Sequence, residues 1–352
     1  MFKRIALSLS DAKRPHRLFS VTIFLSAFLL FQIQPMIARY VLPLFGGSVA
    51  VWGTSLVFFT CVLFLGYCYV YFISRFSTRL QGRIHLTLIL AALLFVGLMF
   101  LVRGSAYPTL GWVSGATSAP ALQILLALFA CIGVPYFLLS TTGPLLQQWY
   151  AHVSGREPYH LYSLSNLGSF LALGTYPFLV EPLLGLHVQQ ILWSVLFMLC
   201  AVSLAVLAIA IQSAQKDTTS SAPPSTVPFA RLAAWIALAG LPAAMLVATT
   251  ARITQVIAPV PFLWVIPLAL YLLSFVLAFR GWGKGGLTPF LVLVAAGASY
   301  VYIDWTYHSF ARQAFSNLTL FFFGSLFCHA LLYRLRPSTH ECRSVCPPGE
   351  RL

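Results

Sequence analysis

Ten apolar runs without a single aspartate, glutamate, lysine or arginine decide what this chain can fold into. They cover residues 19–37, 49–73, 84–102, 121–142, 161–180, 188–211, 232–250, 260–279, 287–303 and 314–333. A hydrocarbon core about 30 Å thick takes about 20 apolar residues of helix to cross. Each run therefore predicts a membrane span, and the whole an all-α, polytopic transmembrane helix bundle of about ten spans in a lipid bilayer. The composition agrees, since 8% of the 352 residues are charged where a soluble domain carries roughly a quarter.

The net charge of +14 does not point to nucleic acid, because a binding footprint gathers basic residues on one soluble face. Here they alternate from loop to loop. With the amino terminus in the cytoplasm, the inward segments hold Lys3, Arg4, Lys13, Arg14, Arg17, Arg75, Arg79, Arg83, Arg156, Lys216, Arg231, Arg280, Lys284, Arg334, Arg336, Arg343 and Arg351. Only Arg39, Arg103, Arg252 and Arg312 fall outside. This bias predicts both termini in the cytoplasm and an even number of spans. The first run follows a basic tail, but it is longer than a signal-peptide core and meets no small-residue cleavage site before Gln32, so it is expected to stay as an anchor.

The predicted organisation is a basic cytoplasmic tail at 1–18, a six-helix half at 19–211, a linker at 212–230, a four-helix half at 231–334 and a cytoplasmic tail at 335–352 that reads as aberrant. The linker is rich in Ser, Thr and Pro and too polar to bury a core of its own. Six helices, a linker and a second set form the plan of major-facilitator-type transporters, whose halves surround a central site. The second half is two helices short of that plan, and residues 73–85 carry arginines where the plan also wants an acid.

Two stretches place polar groups inside the membrane. In FQIQPMIARY, residues 31–40, Gln32, Met36 and Arg39 share a helix face at spacings of four and three, with Gln34 pointing nearly opposite. Pro35 has no N–H and frees the carbonyl of Phe31. The bland reading is helix-to-helix glue with Arg39 snorkelling outward; the sharper one is the wall of a polar cavity. The candidate cavity residues are Gln32, Gln34, Arg39, Asn166 and Glu181, with Glu181 the best outer-side acid for Arg39 and its alternatives a pairing with Arg252 or a solvated place in the loop. In the fifth run Ser165, Gly168, Ser169 and Ala172 make a small-residue stripe, a candidate helix-packing face, with Asn166 beside it for a cross-helix hydrogen bond. Glu181 and Asp304 are the outer-side acids, and Asp304 lies among Tyr300, Tyr302, Trp305 and Tyr307 as in an interfacial aromatic belt.

Catalytic patterns are scarce. GWGKGG, residues 281–286, follows a membrane helix and lacks the strand a phosphate-cradling loop needs. The histidines show no ligand spacing, Cys328 and His329 lie at a helix end without a third partner, and Cys342 and Cys346 have no second pair. No catalytic, metal-ligating or cofactor-binding residue is assigned, and no cofactor is expected.

Five stretches, QPMIARYVLPLFGGSVAVW (34–52), GPLLQQWYA (143–151), LYSLSNLGSFLALGTYPFLVEPLLGL (161–186), VPFLWVIPLALYLLSFVLAF (260–279) and FCHALLYRLRP (327–337), occur in the order found in bacterial polytopic proteins fused to a spermidine-synthase-like domain. The chain resembles the membrane portion of that family from about residue 24 to 337. The resemblance implies a bacterial inner-membrane location and a cytoplasmic Rossmann-like domain that follows the helices and acts on polyamines. That domain's strand and glycine turn are absent from residues 338–352, so none of its catalytic residues carries over. The chain therefore reads as a truncated or frameshifted member, or as a stand-alone membrane subunit. The expected function is a non-catalytic membrane module handling a small solute such as a polyamine. The alternatives are a stand-alone transporter of a small solute and a scaffold that docks a partner membrane protein through the small face of the fifth span.

Overall fold

The computed structural model describes residues 14–45, 49–103, 120–213, 228–256, 265–282, 286, 288–304 and 310–336. The middle of the linker, Gly46 and Gly47, the side chain of Asp304 with its neighbours Tyr302, Trp305 and Tyr307, and Cys342 and Cys346 lie outside the described residues. Ten helices correspond to the ten expected spans: α1 Arg14–Phe45, α2 Val49–Ile73, α3 Thr78–Arg103, α4 Pro120–Ser154, α5 Tyr159–Thr175, α6 Leu186–Ser213, α7 Phe229–Val256, α8 Val265–Phe279, α9 Thr288–Asp304 and α10 Phe310–Arg334. Among the described residues there is no strand. The protein is an all-α polytopic membrane bundle.

Seven of these helices, all but α5, α8 and α9, are long and apolar enough to cross a membrane. The fifth span departs from a plain helix. It is α-helical to Thr175, widens into a π-helix at Tyr176–Val180, and closes with the short turn Glu181–Leu183. Pro177 lies in the first turn of the π segment and has no N–H to return to the preceding α turn. Of the expected span at 260–279 the described residues are helical over Val265–Phe279, and 260–264 lie outside the described residues.

In the first half α1 is the central helix, packed against α4, α5 and α6, while α2 leans on α4 and α3 on α6 and α4. The core there is built by Ile23, Leu29, Ile33 and Ile37 of α1 against Leu128, Tyr136 and Trp149 of α4 and Phe197 of α6. Trp193 of α6 donates its indole N–H to the carbonyl of Leu29 at 3.0 Å. In the second half α10 packs against α7, α8 and α9. The two halves meet mainly where α5 lies along α8, with Leu173 against Val265 and Leu272.

Contacts between termini define two ends of the bundle. His16 in the first turn of α1 meets Tyr150 near the end of α4 at 5.2 Å, and Tyr150 meets His160 at the start of α5 at 5.0 Å. Tyr159 lies 6.2 Å from Phe279, the last residue of α8, which in turn lies 5.4 Å from Tyr333 near the end of α10. The start of α1 and the end of α10 thus share one end, the lower end, and the helices between them alternate in direction. The last turns of α1 and of the fifth span, with the first turn of α6, form the upper end.

Candidate functional site

At the upper end the chain collects polar groups around the π turn. Arg39 Nη1 stands 3.9 Å from Glu181 Oε1, both side chains partly exposed, and the Tyr176 hydroxyl lies in the same turn region. That hydroxyl donates to Gln189 Oε1 at 3.1 Å, and Gln189 Nε2 donates to the carbonyls of Leu184 at 2.8 Å and Val180 at 3.4 Å. The π turn leaves irregular carbonyls that Gln189 satisfies, which is the usual requirement for non-helical backbone at membrane depth. Arg39 and Glu181 are therefore brought together, in a pair open enough to water to contribute at most about 1 kcal/mol.

The other candidate cavity residues do not join them. Gln34 is buried and donates Nε2 to the hydroxyl of Tyr136 on α4 at 3.2 Å. Asn166 was expected to bond across helices; instead Nδ2 donates to the carbonyl of Tyr162 in its own helix at 2.8 Å, because an amide in mid-helix finds the carbonyl four residues back without moving the backbone. Gln32 is buried, and its Oε1 accepts no hydrogen bond. A buried orphan acceptor costs about 1–3 kcal/mol, whereas losing an interhelical bond in a membrane costs about 0.6 kcal/mol on average. Gln32→Leu is accordingly expected to preserve or raise thermal stability in detergent. A clear fall in Tm would identify the amide as packing glue.

The small-residue stripe of α5 packs inside the chain. A Cβ on Gly168 would stand 2.6 Å from the carbonyl oxygen of Phe24 on α1. Ser169 and Ala172 are buried, and Ser169 donates to the carbonyl of Ser165 at 3.2 Å. The stripe is thus met by α1 at Gly168, while Ser165 stays part-exposed.

A second cluster stands between the halves, on residues that the sequence does not single out. Tyr162 on α5 and Tyr271 on α8, which belong to different halves, share Phe275 as a packing partner. Tyr162, Tyr271 and Asn166 are each part-exposed. Aromatic packing holds them: Tyr162 meets Phe275 at 5.4 Å and Phe279 at 4.6 Å, and Tyr271 meets Phe275 at 5.1 Å.

Behind Tyr271 lies His329, in the last turns of α10. Its ring stacks on Phe275 at 3.5 Å and lies edge-on to Tyr271 at 5.2 Å. The hydroxyl of Ser274 donates its one proton to the carbonyl of Tyr271 at 2.6 Å, so at 2.9 Å it accepts from Nδ1–H of His329. Nε2 then carries the bare lone pair, buried and without a partner. The first half holds a counterpart in His85, whose Nδ1 lies 3.3 Å from the hydroxyl of Tyr69 and whose Nε2 is likewise unpartnered. Among the described residues no group of three His, Cys, Asp or Glu side chains is arranged to hold a metal ion.

At the lower end the halves are clasped by Arg336. Its Nη2 stands 3.5 Å from Glu157 Oε2 in the turn before α5, and its guanidinium lies 3.7 Å from the ring centre of Tyr333 and 4.8 Å from that of Tyr159. Stacking on two rings and pairing with a carboxylate suit a planar guanidinium better than an ammonium. Arg336→Lys is therefore expected to loosen the clasp, read as faster hydrogen exchange in the first turn of α5 with little change in Tm. No protein-family model matches the chain, and neither a curated protein nor a solved structure matches it.

Proposed function

We propose that this protein is the membrane module of a spermidine-synthase-like system, placed in the bacterial inner membrane with both termini in the cytoplasm, which takes up or holds a small solute between its two halves and performs no chemistry itself. The observation that carries the reading is the two-part build of the bundle, a six-helix and a four-helix set that meet mainly along α5 and α8. The residues behind the family resemblance lend support. Although far apart in sequence, they fall largely on α1, α4, α5, α8 and α10, which pack as one continuous body with α1 on α4 and α5, α5 on α8, and α8 on α10. A polyamine is the solute that the resemblance implies.

The test is saturable uptake by the reconstituted protein. Flat traces across a panel of neutral, zwitterionic and cationic solutes would overturn solute handling. Orientation is tested separately. Reporter fusions after Gly82, Ser154, Ser220 and Gly283 are expected to report the cytoplasm, and those after Gly47, Gly115, Leu186 and Ser309 the outside. Two or more reversed loops would sink the topology.

A further inference from the structure

The second half repeats the packing of the first four helices. α4 packs on α1, α2 and α3 while α1 touches α2, and in the same way α10 packs on α7, α8 and α9 while α7 touches α8. Trp235 in the second turn of α7 donates its indole N–H to the carbonyl of Leu335 after α10 at 2.9 Å, so α7 leaves the lower end as α1 does. The two sets therefore run in the same direction, as parallel repeats do. In the first half α1 is further covered by α5 and α6, α6 also packs on α3, and α5 reaches across to α8. No described helix takes those places around α7. Exposure follows this difference, for 56% of the apolar stretch of α1 is buried and 6% of that of α7.

α5 lies between α1 and α8. With α1 matched to α7 and α2 to α8, a helix in the equivalent place lies between α7 and α2, and both carry open faces. On α2 Val57, Cys61, Phe64 and Cys68 are exposed at spacings of four, three and four. On α7 Ala233, Ala237, Gly240, Ala244 and Ala248 form an exposed stripe, and a Cβ on Gly240 would meet nothing within 4 Å. The exposed positions of α3 and α6 instead carry large side chains, among them Leu90, Leu94, Leu192 and Leu199. Alanine and glycine let a second backbone come close, and in lipid that close packing is what holds helices together.

We infer that the open faces of α7 and α2 receive a pair of transmembrane helices from a second membrane protein, standing to α7 as α5 and α6 stand to α1. The segments that join the helices of this chain, such as residues 104–119 and 214–227, fall short of the about 20 residues that a span takes. Against the stripe the first partner helix carries large apolar side chains, the reverse of the α1–α5 contact, where the small residue, Gly168, belongs to α5. Because α5 and α6 are joined at the upper end, the partner helices are joined there too and both their free ends lie at the lower end. Seated so, the pair ties α7 to α2 and repeats, on the opposite side of the bundle, the contact between halves that α5 makes with α8.

The experiment places photo-reactive benzoylphenylalanine in the full chain at Gly240 of α7, at Cys61 of α2 or, as a control, at Val202 of α6, which is also exposed. Membranes of the native host are irradiated and the adducts sequenced by mass spectrometry. Positions 240 and 61 are expected to capture the same protein through one span of a helix pair, and position 202 to capture lipid alone. Gly240→Leu, whose added side chain starts in open space, should leave the Tm of the purified protein unchanged. It should lower the adduct from position 61 by at least about tenfold, as overpacking one helix contact does. Adducts with a second copy of this chain, or with its own residues, would overturn the proposal. So would different proteins at the two positions, a partner with a single span, lipid alone at both, the same protein at position 202, or an adduct from position 61 that Gly240→Leu leaves intact.

Discussion

Gly168→Leu is expected to prevent this protein from being recovered as a folded, monodisperse species. The position a Cβ would take lies 2.6 Å from the backbone oxygen of Phe24, closer than side-chain carbons approach a carbonyl, and a backbone atom in mid-helix cannot rotate away. The two helices must separate, and they are α1, the centre of the first half, and α5, which joins that half to the second. In a bilayer, association rests on close van der Waals packing of small residues, because lipid is as apolar as leucine. Overpacking a soluble core costs about 1–3 kcal/mol; here the same displacement also strains the contacts of α5 with α8. Gly168→Ala should lower Tm measurably and the leucine should abolish a cooperative melt followed by tryptophan fluorescence. Gly174→Ala is the control on the same helix, since nothing lies within 4 Å of its Cβ position. It is expected to be neutral or slightly stabilising through helix propensity, by up to about 1 kcal/mol. Equal melts for the two alanine variants would show that the α1–α5 approach is not limiting.

The membrane helices were legible because length and missing charge are local properties, and lipid leaves a backbone few alternatives. The π turn at Tyr176–Val180 was not, since Pro177 signals a break but not the form the chain takes around it. Individual partners divide along the same line. Arg39 and Glu181 were legible as one of the readings open to Glu181, beside pairing with Arg252 and plain solvation in a loop, because outer-side acids are so few; the structure takes the first. Gln34 found Tyr136, a residue 102 positions away, and nothing in either helix's periodicity foretells that register. Asn166 took its own carbonyl because a local bond needs no partner helix. Tyr162 and Tyr271 read in sequence as ordinary members of apolar spans. Only the packing of α5 on α8 brings Tyr162 and Tyr271 to the same ring, Phe275. His329 was read as lacking a third metal-ligating partner, a question separate from its hydrogen bond to Ser274 of α8, 55 positions back, which no spacing within its own helix foretells.

Trp149→Ala is the second substitution with a large expected effect, and it probes how the lower end of the first half is fixed. Trp149 is almost wholly buried, and its ring lies edge-on to His85 at 5.8 Å. Its indole N–H donates to Gln81 Oε1 at 3.0 Å, and Gln81 Nε2 donates to the carbonyl of Phe76 at 2.8 Å, in the turn between α2 and α3. One side chain on α4 thus holds the amide that ties down that turn. Removing a buried tryptophan costs about 3–5 kcal/mol in cores that cannot collapse, and here it also leaves the Gln81 oxygen buried without a donor. Trp149→Phe separates the two contributions. It retains most of the ring and should cost about 1–3 kcal/mol, chiefly from the orphaned acceptor. Combining it with Gln81→Met removes that acceptor, so the double variant should be more stable than the sum of the singles predicts, by about 0.5–3 kcal/mol for residues in contact. The cycle is read from denaturant melts in a fixed detergent, with hydrogen exchange at residues 74–77 as a second measurement. Exchange in that turn should accelerate in both single variants, because both release the amide from the Phe76 carbonyl or from the indole that orients it. Strict additivity with an unchanged turn would mean that Trp149 acts by volume alone and that the Gln81 amide is held by its own helix.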